Sequence, residues 1–263
     1  MRGLSVKFII VFKFADQFNS MEEESFYRNL QQALDELPEN FTILEEQVDV
    51  TVQMSYYNLS SRIKKQGIPE NYEDYMELVF DPAISLKEKK KMLATLASVD
   101  EVFAFRALEK YMKEPDPGLR DWAILALQES RMRLQSSLLD EQQVFISTGL
   151  GGKGKKLRYF IVFLNSDGTI PLNKVQQKLL RTEVAFALEK KDGEVESFDF
   201  MEGYSACTAI LPLKADLGTI FHDIITECNQ YGSFLQEDLV ITNVRKLRKR
   251  EIRKMLEGRK EQP

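Results

Sequence analysis

Apolar residues in the first half of the chain recur in threes and fours. Ser20-Met21-Glu22-Glu23 has the spacing of a capping box, and Phe26, Leu30, Ala33, Leu34 and Leu37 follow at helical period until Pro38. From residue 41 to 65 two periods overlap. Phe41, Leu44, Val48, Val52, Leu59 and Ile63 fit one helical face, while Val48, Val50, Val52 and Met54 alternate as a strand would. The absence of a turn signal across that run favours helix. Gly67-Ile68-Pro69 breaks it, and a short helix over Tyr72, Tyr75, Met76 and Val79 ends at Asp81-Pro82. Ser85 caps a helix carrying Leu86, Met92, Leu93, Leu96 and Ala97. Asp100 caps another carrying Val102, Phe103, Leu108, Tyr111 and Met112. The short connections favour antiparallel neighbours. Residues 1–20 read as an extension outside the fold or as a short strand over the apolar run 8–12.

The strongest helical signal covers residues 114–133, an amphipathic helix in this reading. Asp116 suits an N-cap and Pro117 the first helical position, where its missing N–H costs nothing. Leu119, Ala123, Ala126 and Leu127 then face one way. Pro115, Asp116, Arg120, Ala123 and Leu127 give this run its resemblance to the HEAT repeat family, over about residues 85–135. The resemblance implies an α-helical repeat domain over residues 21–140, with the upstream helices as capping or degenerate units. It also implies that Asp116, Arg120 and Asp121 hold the turn of one repeat against the next, a structural role.

After residue 140 the period changes to that of strands. Runs at 144–147 and 157–164 are apolar, β-branched and aromatic, and a helix over 172–190 carries Val175, Leu179, Leu180 and Phe186. Strands at 195–201 and 204–213 pair across Glu202-Gly203, a helix spans 215–231, and a last strand covers 239–242. The order βαββαβ predicts a ferredoxin-like, two-layer α/β sandwich over 157–244. The fold class expected for the whole chain is therefore α+β: a HEAT-like helical domain, a Gly/Lys-rich connection at 141–156, the sandwich, and a basic tail at 245–263.

Charge sharpens that division. The net charge of −5 is distributed as −7 over residues 1–140, −4 over 141–244 and +6 over 245–263. A basic tail on an acidic body meets either an anionic partner or the protein's own acidic face. Two cysteines, Cys207 and Cys228, without CxxC spacing exclude a disulfide scaffold or zinc ribbon and make a reducing cytoplasm the expected location. No apolar run approaches the ~20 residues of a membrane span.

Two segments carry candidate chemistry. Gly149-Leu150-Gly151-Gly152-Lys153-Gly154-Lys155 satisfies G-x4-G-K, yet Lys156 stands where a phosphate-binding loop needs Ser or Thr, and a β-run follows where a helix should begin. A flexible hairpin-like connection is the plainer reading. With Arg158, the lysines Lys153, Lys155 and Lys156 form a candidate anion-binding set, joined by Arg245, Lys246, Arg248, Lys249 and Arg250 of a basic helix that docks on its own domain or lies on nucleic acid, an anionic membrane or an acidic partner. His222 and Asp223 are adjacent on a helix and do not face each other. No catalytic residue, metal ligand or cofactor site is assigned. Trp122, Tyr56, Tyr57, Tyr72 and Tyr75 are expected in the core. The leading expectation is a non-enzymatic scaffold or adaptor whose helical surface binds another protein. The alternatives are RNA or DNA binding through the Gly/Lys loop and tail, and an enzyme of unrecognised type.

Overall fold

Asp49 starts the first long helix among the described residues, its carboxylate accepting a hydrogen bond from the Thr51 amide at 2.8 Å, and helix α1 (Val50–Gln66) runs until Gly67 turns the chain at φ +90°. The computed structural model describes residues 7–10, 41–140 and 144–260 of a mixed α/β chain that divides into two units. The expected helix between Ser20 and Pro38 lies outside the described residues. Ser147 belongs to the first unit and Thr148 to the second.

The first unit holds a sheet as well as helices: the strand expected at 144–147 and the short strand that is one reading of residues 1–20 are joined by an unexpected strand at 41–43. Strands β1 (Lys7–Ile10), β2 (Phe41–Ile43) and β3 (Val144–Ser147) form a parallel sheet with β3 in the centre. Residues 41–65 are therefore not one helix: three residues pair with β3 before α1 begins. A 3₁₀ turn (Tyr72–Asp74), α2 (Tyr75–Leu78), α3 (Leu86–Ala97), α4 (Val102–Lys113) and α5 (Arg120–Leu139) follow. Ser85 and Glu88 close a full capping box on α3, whereas α4 starts after Glu101 without the side-chain cap expected from Asp100.

Helix α5 also departs from its sequence reading. It begins at Arg120, with Leu119 and not Asp116 at the N-cap, and Gly118 takes φ +83° in the turn before it. Trp122, Ala123, Ile124, Leu125 and Ala126 are all buried. Five consecutive residues sweep more than a full turn, so this end is enclosed on every side and is not amphipathic. α5 packs against α1, α3 and α4. Trp122 sits edge-on to Tyr56 with ring centroids 5.2 Å apart, and its indole N–H donates to the Lys90 carbonyl at 2.9 Å. Tyr57, Tyr72 and Tyr75 pack half-buried against the same core.

The second unit contains β4 (Gly152–Lys153), β5 (Lys156–Asn165), α6 (Lys174–Glu189), β6 (Glu194–Met201), β7 (Tyr204–Pro212), α7 (Leu217–Asn229), β8 (Leu235–Thr242) and α8 (Lys249–Lys260). All strand pairings are antiparallel. β7 takes one edge of β5 while β8 and the short β4 share the other, and β6 lies outside β7. β8 starts earlier than the expected residue 239, and the tail helix starts later, at Lys249. Alternation along β5 divides the sheet into two faces. Phe163 meets Phe221 of α7 at 5.9 Å, so the Ile161–Phe163 side lies under α6 and α7. Phe160, Val162 and Leu164 face the other way, where with Tyr204, Ala206 and Val240 they pack against Leu247 and Ile252. The tail thus covers the second face of its own sheet.

Candidate functional site

The Gly/Lys segment folds as a tight hairpin between β4 and β5. Thr148 Oγ1 donates to the Gly151 carbonyl at 3.1 Å, Leu150 is buried in the core on the α8 side, and Lys153 pairs with Lys156 across a turn in which Gly154 takes φ +59°. The chain passes directly into β5 without the helix N-terminus that a phosphate-binding loop requires.

Lys153, Lys156 and Arg158 of the hairpin meet acids at or beside the β6 edge. Lys153 reaches Glu194 and Lys156 reaches Asp192, each at 2.6 Å. Arg158 holds Glu196 with two guanidinium nitrogens, at 2.6 and 2.9 Å, and donates to the Leu150 carbonyl at 2.7 Å. Lys155 stands exposed at the turn. The Arg158 hydrogen bond holds the Glu196 carboxyl below the usual range, and the charges of Lys246 and Lys153 add to that effect. The hairpin and the residues leading into α8 therefore share one end of the sheet.

Glu251 organises that lead-in. Its carboxylate accepts from the Arg245 guanidinium and from the Arg248 amide at 2.7 Å, and these bonds, Arg245 first, bring its pKa down to about 2. With Leu247 and Ile252 turned onto the sheet, Lys246, Arg248, Lys249, Arg250, Arg253 and Lys254 stand exposed. Arg253 reaches Glu202 only at 3.5 Å, with both groups well exposed, a contact worth little. The candidate anion-binding residues thus divide into a hairpin set largely committed to β6 and a helix set displayed on a fixed support.

Of the three candidate repeat-turn residues, Asp116 alone ties elements together. It accepts from the buried Lys89 ammonium of α3 at 2.7 Å and from the Tyr111 hydroxyl of α4 at 2.6 Å. Those bonds, Lys89 first, lower its pKa, while burial pushes the Tyr111 phenol up. The side chains of Arg120 and Asp121 make no hydrogen bond or ion pair among the described residues.

Sequence reasoning missed a second polar centre, at Glu129 in the middle of α5. This fully buried carboxylate accepts from Tyr56 at 2.8 Å and Ser60 at 2.9 Å and pairs with Lys64 at 2.7 Å, while Arg133 lies 3.7 Å away. Burial, and then the Glu129 charge, raise the Tyr56 pKa. The available signal was polar spacing: Tyr56, Ser60 and Lys64 recur every fourth residue on α1, and Glu129 and Arg133 do so on α5.

His222 is exposed, and burial pushes the Cys207 thiol up. Among the described residues no group of three or more His, Cys, Asp or Glu side chains could hold a metal ion, and no helix is long and apolar enough to cross a membrane.

No family model and no curated protein matches this chain. Among solved structures, a "putative transposase" from Deinococcus radiodurans R1 aligns with 41% of this chain and 93% of its own, at 11% identity and a TM-score of 0.34. A likeness that slight carries no argument.

Proposed function

We propose that the protein is a non-enzymatic binding protein whose second unit engages a polyanion, the phosphate backbone of RNA or DNA, through the outward face of α8. One observation carries this reading: Leu247 and Ile252 anchor the tail while Arg248, Lys249, Arg250, Arg253 and Lys254 are held exposed beside one another. A pre-ordered basic array loses less side-chain and backbone freedom on binding than a loose tail would. Lys246 and Lys155 extend the patch toward the hairpin, where the β6 acids offset much of the remaining charge. Phosphate contacts of this kind position a chain without reading its bases.

If about four cations contact phosphates on duplex DNA, log K should fall with log salt at a slope near −3.6. Replacing Arg248, Lys249, Arg250, Arg253 and Lys254 together with alanine is expected to abolish salt-sensitive retention of RNA and DNA, while Lys153→Ala has a smaller effect. Fluorescence anisotropy titrations across salt concentrations measure both. Equal binding by the wild type and the five-site variant would remove the proposal.

The architecture is read in the same proposal. The strand order β8-β5-β7-β6, with α6 and α7 as crossovers, supports a ferredoxin-like second unit. The Asp116 bridge between α3 and α4 supports a HEAT-like repeat over about residues 85–135. A reducing cytoplasmic location fits two free, buried cysteines.

A second reading, another protein bound on the helical unit, is favoured by Phe103 and Val102 in the first turn of α4, 76% and 57% exposed. Solvated aromatics of this size are typical anchors of interfaces. A photo-crosslinking residue at position 103 is expected to trap one discrete protein in the native cell. Only diffuse labelling, or none, would count against this second site.

A further inference from the structure

The face of the second unit that carries α6 and α7 shows a charge pattern that selects its own occupant. The two helices run antiparallel, because α6 follows β5, α7 follows β7, and those strands are antiparallel. Between the helices lies an open groove of about 710 Å³. Its floor is apolar, with Ala187 and Phe186 from α6 against Ile220 and Ile224 from α7. Phe186 is 53% exposed, with the Lys190 ammonium 3.9 Å from its ring centroid.

Charge is sorted along this groove. At the α6 C-terminus stand Lys190 and Lys191, joined by Lys214 from the segment before α7. The one acid lining the groove at that end, Asp216, caps α7 by accepting from the Thr219 amide at 3.2 Å. At the opposite end stand Glu183 on α6 and Asp223 and Glu227 on α7. Glu183 and Lys190 are seven residues apart, about 10 Å of backbone along the helix, with the Lys190 ammonium leaning back over Phe186 and Lys191 and Lys214 marking the basic end.

A groove basic at one end, acidic at the other and apolar in the middle is complementary to itself turned end for end. A two-fold axis near Phe186 sets the three lysines of one copy against the three acids of the other, twice per interface, and brings both phenylalanine rings to the apolar centre. Any arrangement with the two grooves parallel opposes like charges at both ends. We infer that this groove is a homodimer interface, with a second copy of the chain as its occupant. The inference is independent of polyanion binding, because α8 lies on the other face of the sheet.

Sedimentation velocity of the full chain tests it. The wild type is expected to sediment at twice 30.5 kDa. A variant carrying Lys190→Glu, Lys191→Glu and Lys214→Glu, and another carrying Glu183→Lys, Asp223→Lys and Glu227→Lys, should each lose the dimer entirely. Mixed in equal amounts they should restore it, since one copy is then acidic and the other basic at both ends. Because both native cysteines are buried, Phe186→Cys should also form an interchain disulfide on mild oxidation, a readout that leaves the charges intact. A wild type that is monomeric at its highest soluble concentration overturns the inference. So does a dimer that persists in both charge variants, or a mixture that stays monomeric while Phe186→Cys fails to crosslink.

Discussion

Replacing Glu129 with alanine is expected to destabilise the first unit by about 3 kcal/mol or more, in the range for breaking a buried ion pair by removing one partner. The carboxylate is fully buried and is the shared acceptor of Tyr56, Ser60 and Lys64. Its removal leaves the buried Tyr56 hydroxyl and the Ser60 hydroxyl without their acceptor, and opens a cavity between α1 and α5. Lys64 recovers part of the loss, because its side chain is 33% exposed and can turn to water. Glu129→Gln keeps an acceptor and the volume while removing the charge, and should cost less than the alanine. Tyr56→Phe removes one hydrogen bond to a charged group and should cost about 1.5–3 kcal/mol. The single tryptophan of the chain, Trp122, touches Tyr56 and so reports this region directly. A denaturation midpoint by Trp122 fluorescence that is unchanged in Glu129→Ala would show that the carboxylate is not the centre of this network.

The second large effect is expected at Gly203, in the hairpin between β6 and β7. Its φ is +80°, and a Cβ at this position would run into the Gly168 carbonyl, whose carbon lies 2.8 Å from the Cβ position. The residue cannot withdraw, because its amide donates to the Ile170 carbonyl at 3.1 Å and its carbonyl accepts from the Asn165 amide at 3.0 Å. Gly203→Ala combines the left-handed penalty with overpacking against backbone, a loss of about 2–5 kcal/mol. Gly154, at φ +59° with no atom within 4 Å of its Cβ position, gives the comparison. Its alanine variant should lose only the conformational share, about 1–2 kcal/mol. Amide hydrogen exchange in β5 and β7 measures both, and equal losses at the two glycines would refute the steric account.

What the chain disclosed in advance follows the range of the interactions. α3, α6, the β6–β7 hairpin and α7 are read from local signals: the Ser85 and Glu88 capping box, the Glu202-Gly203 turn, and apolar residues at one helical period. Beyond shifts of a few residues at element ends, the misreadings involve distant partners. Phe41–Ile43 is too short to show a period and becomes a strand only because residues 144–146 lie beside it. Asp116 looks like an N-cap until Lys89, twenty-seven positions upstream, claims its carboxylate. Glu129 is not singled out in a linear reading because its partners Tyr56, Ser60 and Lys64 lie on α1. The candidate anion site is legible in composition but not in allocation. Lys153, Lys156 and Arg158 look like free cations in a linear reading, and their acids are brought alongside by the sheet.

Strand β3 has a further consequence for how the chain is made. It is the central strand of the first sheet, yet its neighbours were synthesised more than one hundred residues earlier, Lys7 pairing with Val144 and Phe41 sharing the same partner. On the ribosome the first sheet therefore cannot close until the segment around Ser147 has left the exit tunnel, when the start of the second unit is already being added. Such non-local pairing is slow, and it leaves β1 and β2 without the strand between them through most of translation. A nascent chain stalled when residue 140, where α5 ends, has just left the tunnel would hold the helices α1 to α5 and no closed sheet to seat them on.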